Sequence, residues 1–275
     1  MAKSIIFSVL LLFISTSFFA QAKVFEGNTK DRATGQEIAY VNIGVLNKNI
    51  GTVSNINGKF QLPLDNKFDS ETLKISIVGY KSLTFTVSDF KKIISENSIV
   101  LLDKNIAELK EIVIKNKNLR EARLGNVLER RTVSAGFVNN VLGNEIGIVV
   151  KVKGKPTYIE AFHAMVDYNH YGELKFRLNI YDLKKGIPDN PLLTESIIVK
   201  SRIEKGELTV DLSDYNIMVN GDFFVSLELI EGLGEGGLHF LADEDGPKVF
   251  TRAVSQGKWN KVDEVSFGFS VSVKY

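Results

Sequence analysis

The chain has 275 residues, 34 basic and 33 acidic, with 44% apolar residues, 22 glycines, 5 prolines and no cysteine. Such a length holds one or two domains, each with room for a core. A formal charge of +1 lacks the positive field that grips a phosphate backbone, so nucleic acid is not an expected partner, and the missing cysteines exclude disulfides, thiol nucleophiles and thiolate metal sites.

The N-terminus reads as an export signal. Lys3 precedes an apolar run from Ile5 to Phe19 broken only by Ser and Thr, and the small-x-small pattern Ala20-Gln21-Ala22 follows. The run is shorter than the roughly 20 apolar residues a membrane span needs. Residues 1–22 are therefore expected to be a signal peptide cut after Ala20 or Ala22. A lipoprotein would need a cysteine at the new N-terminus, and no later stretch is apolar enough for a transmembrane helix. The expected location is the periplasm, the outer membrane or the cell surface, without a lipid anchor.

From residue 23 to 103 short strands alternate with turns. Val41-Asn42-Ile43-Gly44-Val45 and Leu73-Lys74-Ile75-Ser76-Ile77 each place apolar side chains on one face at period two. Asp31 to Gly35 and Asn55 to Gly58 are turn clusters, the second ending in an Asn-Gly pair. Phe60 and Leu62 are expected to face a core, Gly51 and Gly58 to serve tight turns, and Gly79 to let Tyr80 follow a bend. A small antiparallel sandwich follows from this pattern.

The order of these motifs resembles a known family. Phe25-Glu26-Gly27, then Thr34-Gly35-Gln36-Glu37-Ile38-Ala39-Tyr40-Val41-Asn42-Ile43, then Gly51-Thr52-Val53-Ser54-Asn55-Ile56-Asn57-Gly58-Lys59-Phe60, then Ile75-Ser76-Ile77-Val78-Gly79-Tyr80-Lys81 is similar to the carboxypeptidase regulatory-like domain of Bacteroidetes envelope proteins. The resemblance implies a seven-stranded transthyretin-like sandwich, often carried by outer-membrane receptors and other exported proteins, with Leu109 to Ile114 as its closing strand. It implies no peptidase machinery. The zinc carboxypeptidases that share the module need a separate domain with a His-x-x-Glu pair, and none of His163, His170 and His239 has a Glu three positions on.

Residues 104–140 read as a linker. Lys110, Lys115, Lys117, Arg120, Arg123, Arg130 and Arg131 are interleaved with Glu108, Glu111, Glu121 and Glu129. Leu119, Leu124, Val127 and Leu128 recur at helical steps, which predicts an amphipathic helix. From 141 to 275 strands return, at Ile146–Val152, Thr157–Val166, Leu174–Tyr181, Leu193–Val199, Glu207–Leu212, Phe223–Ile230, Lys248–Val254 and Val265–Lys274. The expected fold class is thus mainly β: a transthyretin-like sandwich, a short helical linker and a second β-sandwich of jelly-roll character.

No constellation in the chain demands catalysis, and no cofactor or metal is expected. Asp243-Glu244-Asp245-Gly246 lacks the spaced ligands of a calcium loop. His163 and His170 are seven apart on a strand, which works against shared zinc ligation. The Gly232 to Gly237 run has no strand-to-helix context for a phosphate cradle. Tyr168, Tyr171 and Trp259 are candidate ligand-binding residues, since exposed rings stack on sugars. The functional expectation is a non-enzymatic binding module whose partner is a glycan or another envelope protein. The alternative is a small outer-membrane β-barrel, suggested by the uninterrupted alternation of Val265, Phe267, Phe269, Val271, Val273 and Tyr275.

Overall fold

The computed structural model describes residues 22–105, 119–128, 133–137 and 140–275. The expected signal peptide, apart from Ala22, and the strand expected over Leu109 to Ile114 lie outside the described residues.

The period-two stretches of the first domain form β1 (Lys23–Asp31), β2 (Asn42–Val45), β3 (Gly51–Val53), β4 (Lys59–Leu64), β5 (Thr72–Ser76) and β6 (Leu83–Thr86). A helix, α1 (Val87–Glu96), then leads to β7 (Ile99–Leu102). The strands make a three-stranded sheet in the order β4-β1-β7 and a four-stranded sheet in the order β3-β2-β5-β6. All pairs are antiparallel except β1 with β7. Phe25, Phe60, Leu62 and Leu64 from the first sheet meet Ile43, Val45, Leu73 and Ile75 from the second. Gly58 has φ +72 and closes the turn into β4, as the Asn-Gly pair predicted.

The seven strands match expectation, whereas α1 was not anticipated. Its signal is local: Thr86 accepts from the Asp89 backbone N–H at 3.0 Å and donates to Asp89 Oδ2 at 2.7 Å, closing the N-terminus. Val87, Phe90 and Ile94 then fall on one face and bury against the sandwich.

The second domain holds β8 (Glu121–Gly125), β9 (Val133–Gly136), β10 (Glu145–Val150), β11 (Thr157–Asn169), β12 (Leu174–Lys184), β13 (Ile187–Pro191), β14 (Ile197–Ser201) and β15 (Gly206–Asp211). After these come β16 (Ile217–Val219), β17 (Phe223–Leu229), β18 (Leu238–Asp243), β19 (Val249–Arg252), β20 (Asn260–Val262), β21 (Ser266–Phe267) and β22 (Phe269–Lys274). They form two antiparallel sheets. The inner sheet runs β13-β12-β17-β10-β19-β20, with β14 also on β12. The outer sheet is built around the long β11, which pairs with β15 and β16 along one edge and with β18 and β22 along the other. Alternate residues of both sheets fill one core, in which Phe269 meets Phe162 at 5.4 Å and Phe240 at 4.9 Å between ring centroids.

Two expectations are corrected here. Where a helix was predicted, Glu121–Gly125 is strand β8, laddered on β22 from Glu121 opposite Lys274 to Gly125 opposite Ser270. Leu124 is buried in the core and Ala122 packs against it, so a period-two pair and the free edge of β22 outweigh the weak three- and four-residue spacing. The strands also close no barrel among the described residues. Phe267, Phe269, Val271 and Val273 turn inward between two stacked open sheets, leaving the terminal strand's polar face outside.

The domains are docked face to face. Gly44 and Gly51, opposite each other on β2 and β3, leave a notch for the loop after β19: a Cβ on Gly51 would lie 2.1 Å from the Ser255 carbonyl oxygen, and one on Gly44 2.3 Å from it. Close approach, rather than a tight turn, explains Gly51. Asn47 N–H donates to the Gln256 carbonyl at 3.0 Å, and Gln256 Nε2 donates to Ser76 Oγ at 2.9 Å. Tyr40 and Val53 pack against Ile230 beside them.

Candidate functional site

Part of the outer face of the inner sheet, whose alternation reads as solvent-facing, is buried, and there Arg177 bonds to the first domain. Strand register places Arg177, Glu228, Glu145 and Arg252 side by side on β12, β17, β10 and β19. All four are buried, Glu145 and Glu228 completely. Two cations and two anions make the row neutral, which lets it leave water. Arg252 Nη2 lies 2.5 Å from Glu145 Oε2 and 3.8 Å from Glu228 Oε1, and Arg177 Nε lies 3.4 Å from Glu228 Oε2. Asn179 Nδ2 donates to Glu145 at 3.0 Å and Glu228 at 2.9 Å, and Ser226 donates to Glu145. Burial pushes the Glu145 carboxyl up, against the pull of Arg252.

The row also crosses the domain boundary. Arg177 Nη2 donates to the Tyr40 carbonyl at 2.7 Å and to Asn42 Oδ1 at 3.1 Å. Next to it Tyr40 Oη donates to Glu231 at 3.2 Å, and Lys175 Nζ reaches the same carboxylate at 2.5 Å. On the other flank Trp259 packs edge-on to Tyr181 and Phe224, with the Arg252 guanidinium 4.7 Å from its ring. Trp259 is thus committed to packing beside the charge row, away from the other two candidate residues.

Tyr168 and Tyr171 come together at the end of β11. Tyr168 is stacked between His170, at 4.8 Å, and His239, at 4.7 Å between centroids. Asp167, Tyr168, Asn169, His170, Glu173, Arg202, Glu204 and Lys205 contribute to an open groove of about 1000 Å³. Tyr171 packs inward against the core. The glycine-rich loop finds its use here, because Gly236 and Gly237 run close over Tyr171 and Tyr168, and the Gly237 carbonyl accepts from His170 N–H at 2.9 Å. Side chains at these two glycines would meet the rings. Tyr168 is therefore the one sequence-chosen residue that presents its ring at a groove.

A second group lies on the outer face of the outer sheet. His163 Nε2 sits 2.8 Å from Ser272 Oγ, while Nδ1 sits 3.0 Å from Thr209 Oγ1 and 3.3 Å from Glu207 Oε1. Desolvation and the nearby Arg123 charge lower the His163 pKa, which favours the neutral ring. The order Ser272, His163, Glu207 has the spacing of a nucleophile, base and orienting acid. The setting is wrong for acyl transfer, however. Ser272 lies in the middle of a strand laddered on both sides, by β11 and β8, which occupies the backbone N–H groups that an oxyanion would need.

Among the described residues no group of three or more His, Asp or Glu is arranged to hold a metal ion, and no helix is long and apolar enough to cross a membrane. Sequence reading missed the charge row because each member looks like an ordinary polar residue on an alternating strand. The usable signal is chemical: Arg177, Asn179, Glu145, Glu228 and Arg252 interrupt otherwise apolar strands with residues of complementary charge. Comparison with curated proteins gives no significant match. A family model described as CarboxypepD_reg-like domain matches residues 25–114, about a third of the chain. The first of the two docked sandwiches is accordingly a CarboxypepD_reg-like domain, a member of a non-catalytic family with an immunoglobulin-like fold.

Proposed function

We propose that this is an exported, non-enzymatic binding protein of the cell envelope. In this reading the CarboxypepD_reg-like domain is a rigid pedestal, and the second sandwich takes a glycan in the groove at Tyr168. The observation that carries the reading is the Tyr168–His170–His239 stack beside the groove. A ring held between two imidazoles needs no further ordering on binding and presents its edge at the groove. Exposed Glu173, Arg202 and Glu204 around it carry the donors and acceptors that sugar hydroxyls require. Export is supported by the pattern of residues 1–22, and the docked first domain supports a pedestal role.

The test is a glycan array probed with the mature protein, followed by titration calorimetry on any hit. Removing the ring with Tyr168→Ala is expected to weaken a hit by about fivefold, since an aromatic contact of this kind contributes on the order of 1 kcal/mol. A silent array, or a hit that Tyr168→Ala leaves unchanged, would remove the groove from the account. Turnover of the bound glycan would remove the non-enzymatic part.

A further inference from the structure

A second recess lies in the second domain, at the C-terminal ends of β10 and β12. Arg123, Lys151, Lys153 and Lys248 surround a pocket of about 470 Å³ whose apolar lining includes Leu124, Val149 and Leu183. The volume lies within the range of small-ligand sites. Four cations against one carboxylate, Asp222, is a strong local excess in a chain of net charge +1. Asp222 Oδ1 accepts from the Val152 backbone N–H at 3.1 Å, which fixes the carboxylate in place. Arg123 is tied to Glu207 and donates to Ser270 Oγ.

The three lysines are different. None of Lys151, Lys153 and Lys248 is in an ion pair or a side-chain hydrogen bond with a described residue, and all three are exposed. Lys248 lies across from Val149, its carbonyl accepting from Val149 N–H at 2.8 Å, and so falls beside Lys151 on the neighbouring strand. Like charges gathered in this way repel one another, and the one lining carboxylate, Asp222, offsets only part of their charge. An anion seated between them would offset the rest.

We propose that this pocket is a binding site for an acidic saccharide, with the lysines engaging its carboxylate or ester anions and Val149 and Leu183 receiving the C–H face of a ring. The concave shape selects this chemistry over an anionic membrane, because a flat headgroup surface does not enter a recess between the turn at Gly186 and the turn at Gly246. The site lies apart from the Tyr168 groove and does not depend on it.

Calorimetric titration of the full mature protein with tetragalacturonate and with neutral cellotetraose tests the proposal. Tetragalacturonate is expected to bind and cellotetraose not, with affinity falling as salt rises from about 0.05 to about 0.5 M. The exposed double substitution Lys151→Gln with Lys248→Gln is expected to cost about tenfold in affinity without lowering the unfolding midpoint, while Tyr168→Ala leaves tetragalacturonate binding intact. Absence of binding, equal binding of cellotetraose, or insensitivity to the lysine substitutions would overturn the proposal. So would capture by phosphatidylglycerol vesicles through the same lysines without saccharide binding. Loss of tetragalacturonate binding in Tyr168→Ala alone would move the anion site to the groove, leaving the glycan reading standing and this one refuted.

Discussion

Arg177→Ala is the sharpest perturbation of the domain interface. The guanidinium is only 2% exposed and does three things: it pairs with Glu228 at 3.4 Å, donates to the Tyr40 carbonyl at 2.7 Å, and donates to Asn42 Oδ1 at 3.1 Å. Truncation leaves Glu228 completely buried with Asn179 as its hydrogen-bond donor and Arg252 at 3.8 Å. Breaking a buried pair by removing one partner costs about 3–5 kcal/mol, and hydrogen bonds to charged groups contribute about 1.5–3 kcal/mol each. These contributions overlap, so the expected loss is about 4 kcal/mol. Because two of the three contacts cross to the first domain, urea unfolding followed by circular dichroism should change from one transition to two. A shape-preserving repair, Arg177→Met with Glu228→Gln, is expected to recover at least half of that loss, since it removes the stranded charge as well as its partner. A midpoint for Arg177→Ala within about 0.5 kcal/mol of the parent, an error-sized difference for a surface change, would refute the reasoning. A repair variant no more stable than Arg177→Met alone would do the same.

Gly51→Ala puts a Cβ 2.1 Å from the Ser255 carbonyl oxygen, so thermal unfolding should show a loss of about 1–3 kcal/mol from overpacking at the interface; an unchanged melting temperature would mean that the loop after β19 yields freely. Phe162→Ala removes a fully buried ring from between the two sheets of the second domain, and chemical denaturation should report a loss of about 3–5 kcal/mol. The lowered pKa of His163 sets the sign of a pH effect: the folded ring resists the proton that the unfolded ring takes up near pH 6.5, so its contribution is complete above that value and is lost as pH falls from there through the folded-state pKa. Unfolding midpoints of the parent and His163→Gln, measured from pH 7.5 to 5, should therefore converge on acidification, and parallel curves would show that His163 is not the titrating group.

How much of this was readable in advance follows from what period-two patterning encodes. Alternation reveals which residues of a strand share a face, and Phe60 with Leu62, or Phe269 with Val271, duly point into a core. It does not reveal what covers the opposite face. Arg177 and Asn179 on β12 alternate with Phe176 and Leu178 just as solvent-exposed residues would, yet both are buried, and Arg177 bonds to the first domain. Burial of such a face needs a partner surface of matching polarity, and that partner, Tyr40 and Asn42, stands some 135 residues earlier in the chain. Local signals fared unevenly. The Thr86 to Asp89 cap marks the start of α1 locally, whereas the helical spacing around Leu124 belongs to a strand edge whose ladder partner, β22, comes at the end of the sequence. Of the aromatic candidates, Tyr168 reached a groove because β11 ends there, while Trp259 was drawn into packing against Arg252. The lysine pocket assembles from three separate strand ends and a hairpin, so no spacing in the sequence marks it.

The buried row of Arg177, Glu228, Glu145 and Arg252 joins the two sandwiches into one unit through the contacts of Arg177 with Tyr40 and Asn42. Because the chain has no cysteine, spin labels can be placed at single introduced sites without competing thiols. Exposed Glu96 at the end of α1 and exposed Glu264 before β21 report on opposite domains. A pulsed electron-electron resonance measurement on Glu96→Cys with Glu264→Cys should give one narrow distance distribution, which broadens when Arg177→Ala is added. A broad distribution in the parent background would contradict the account.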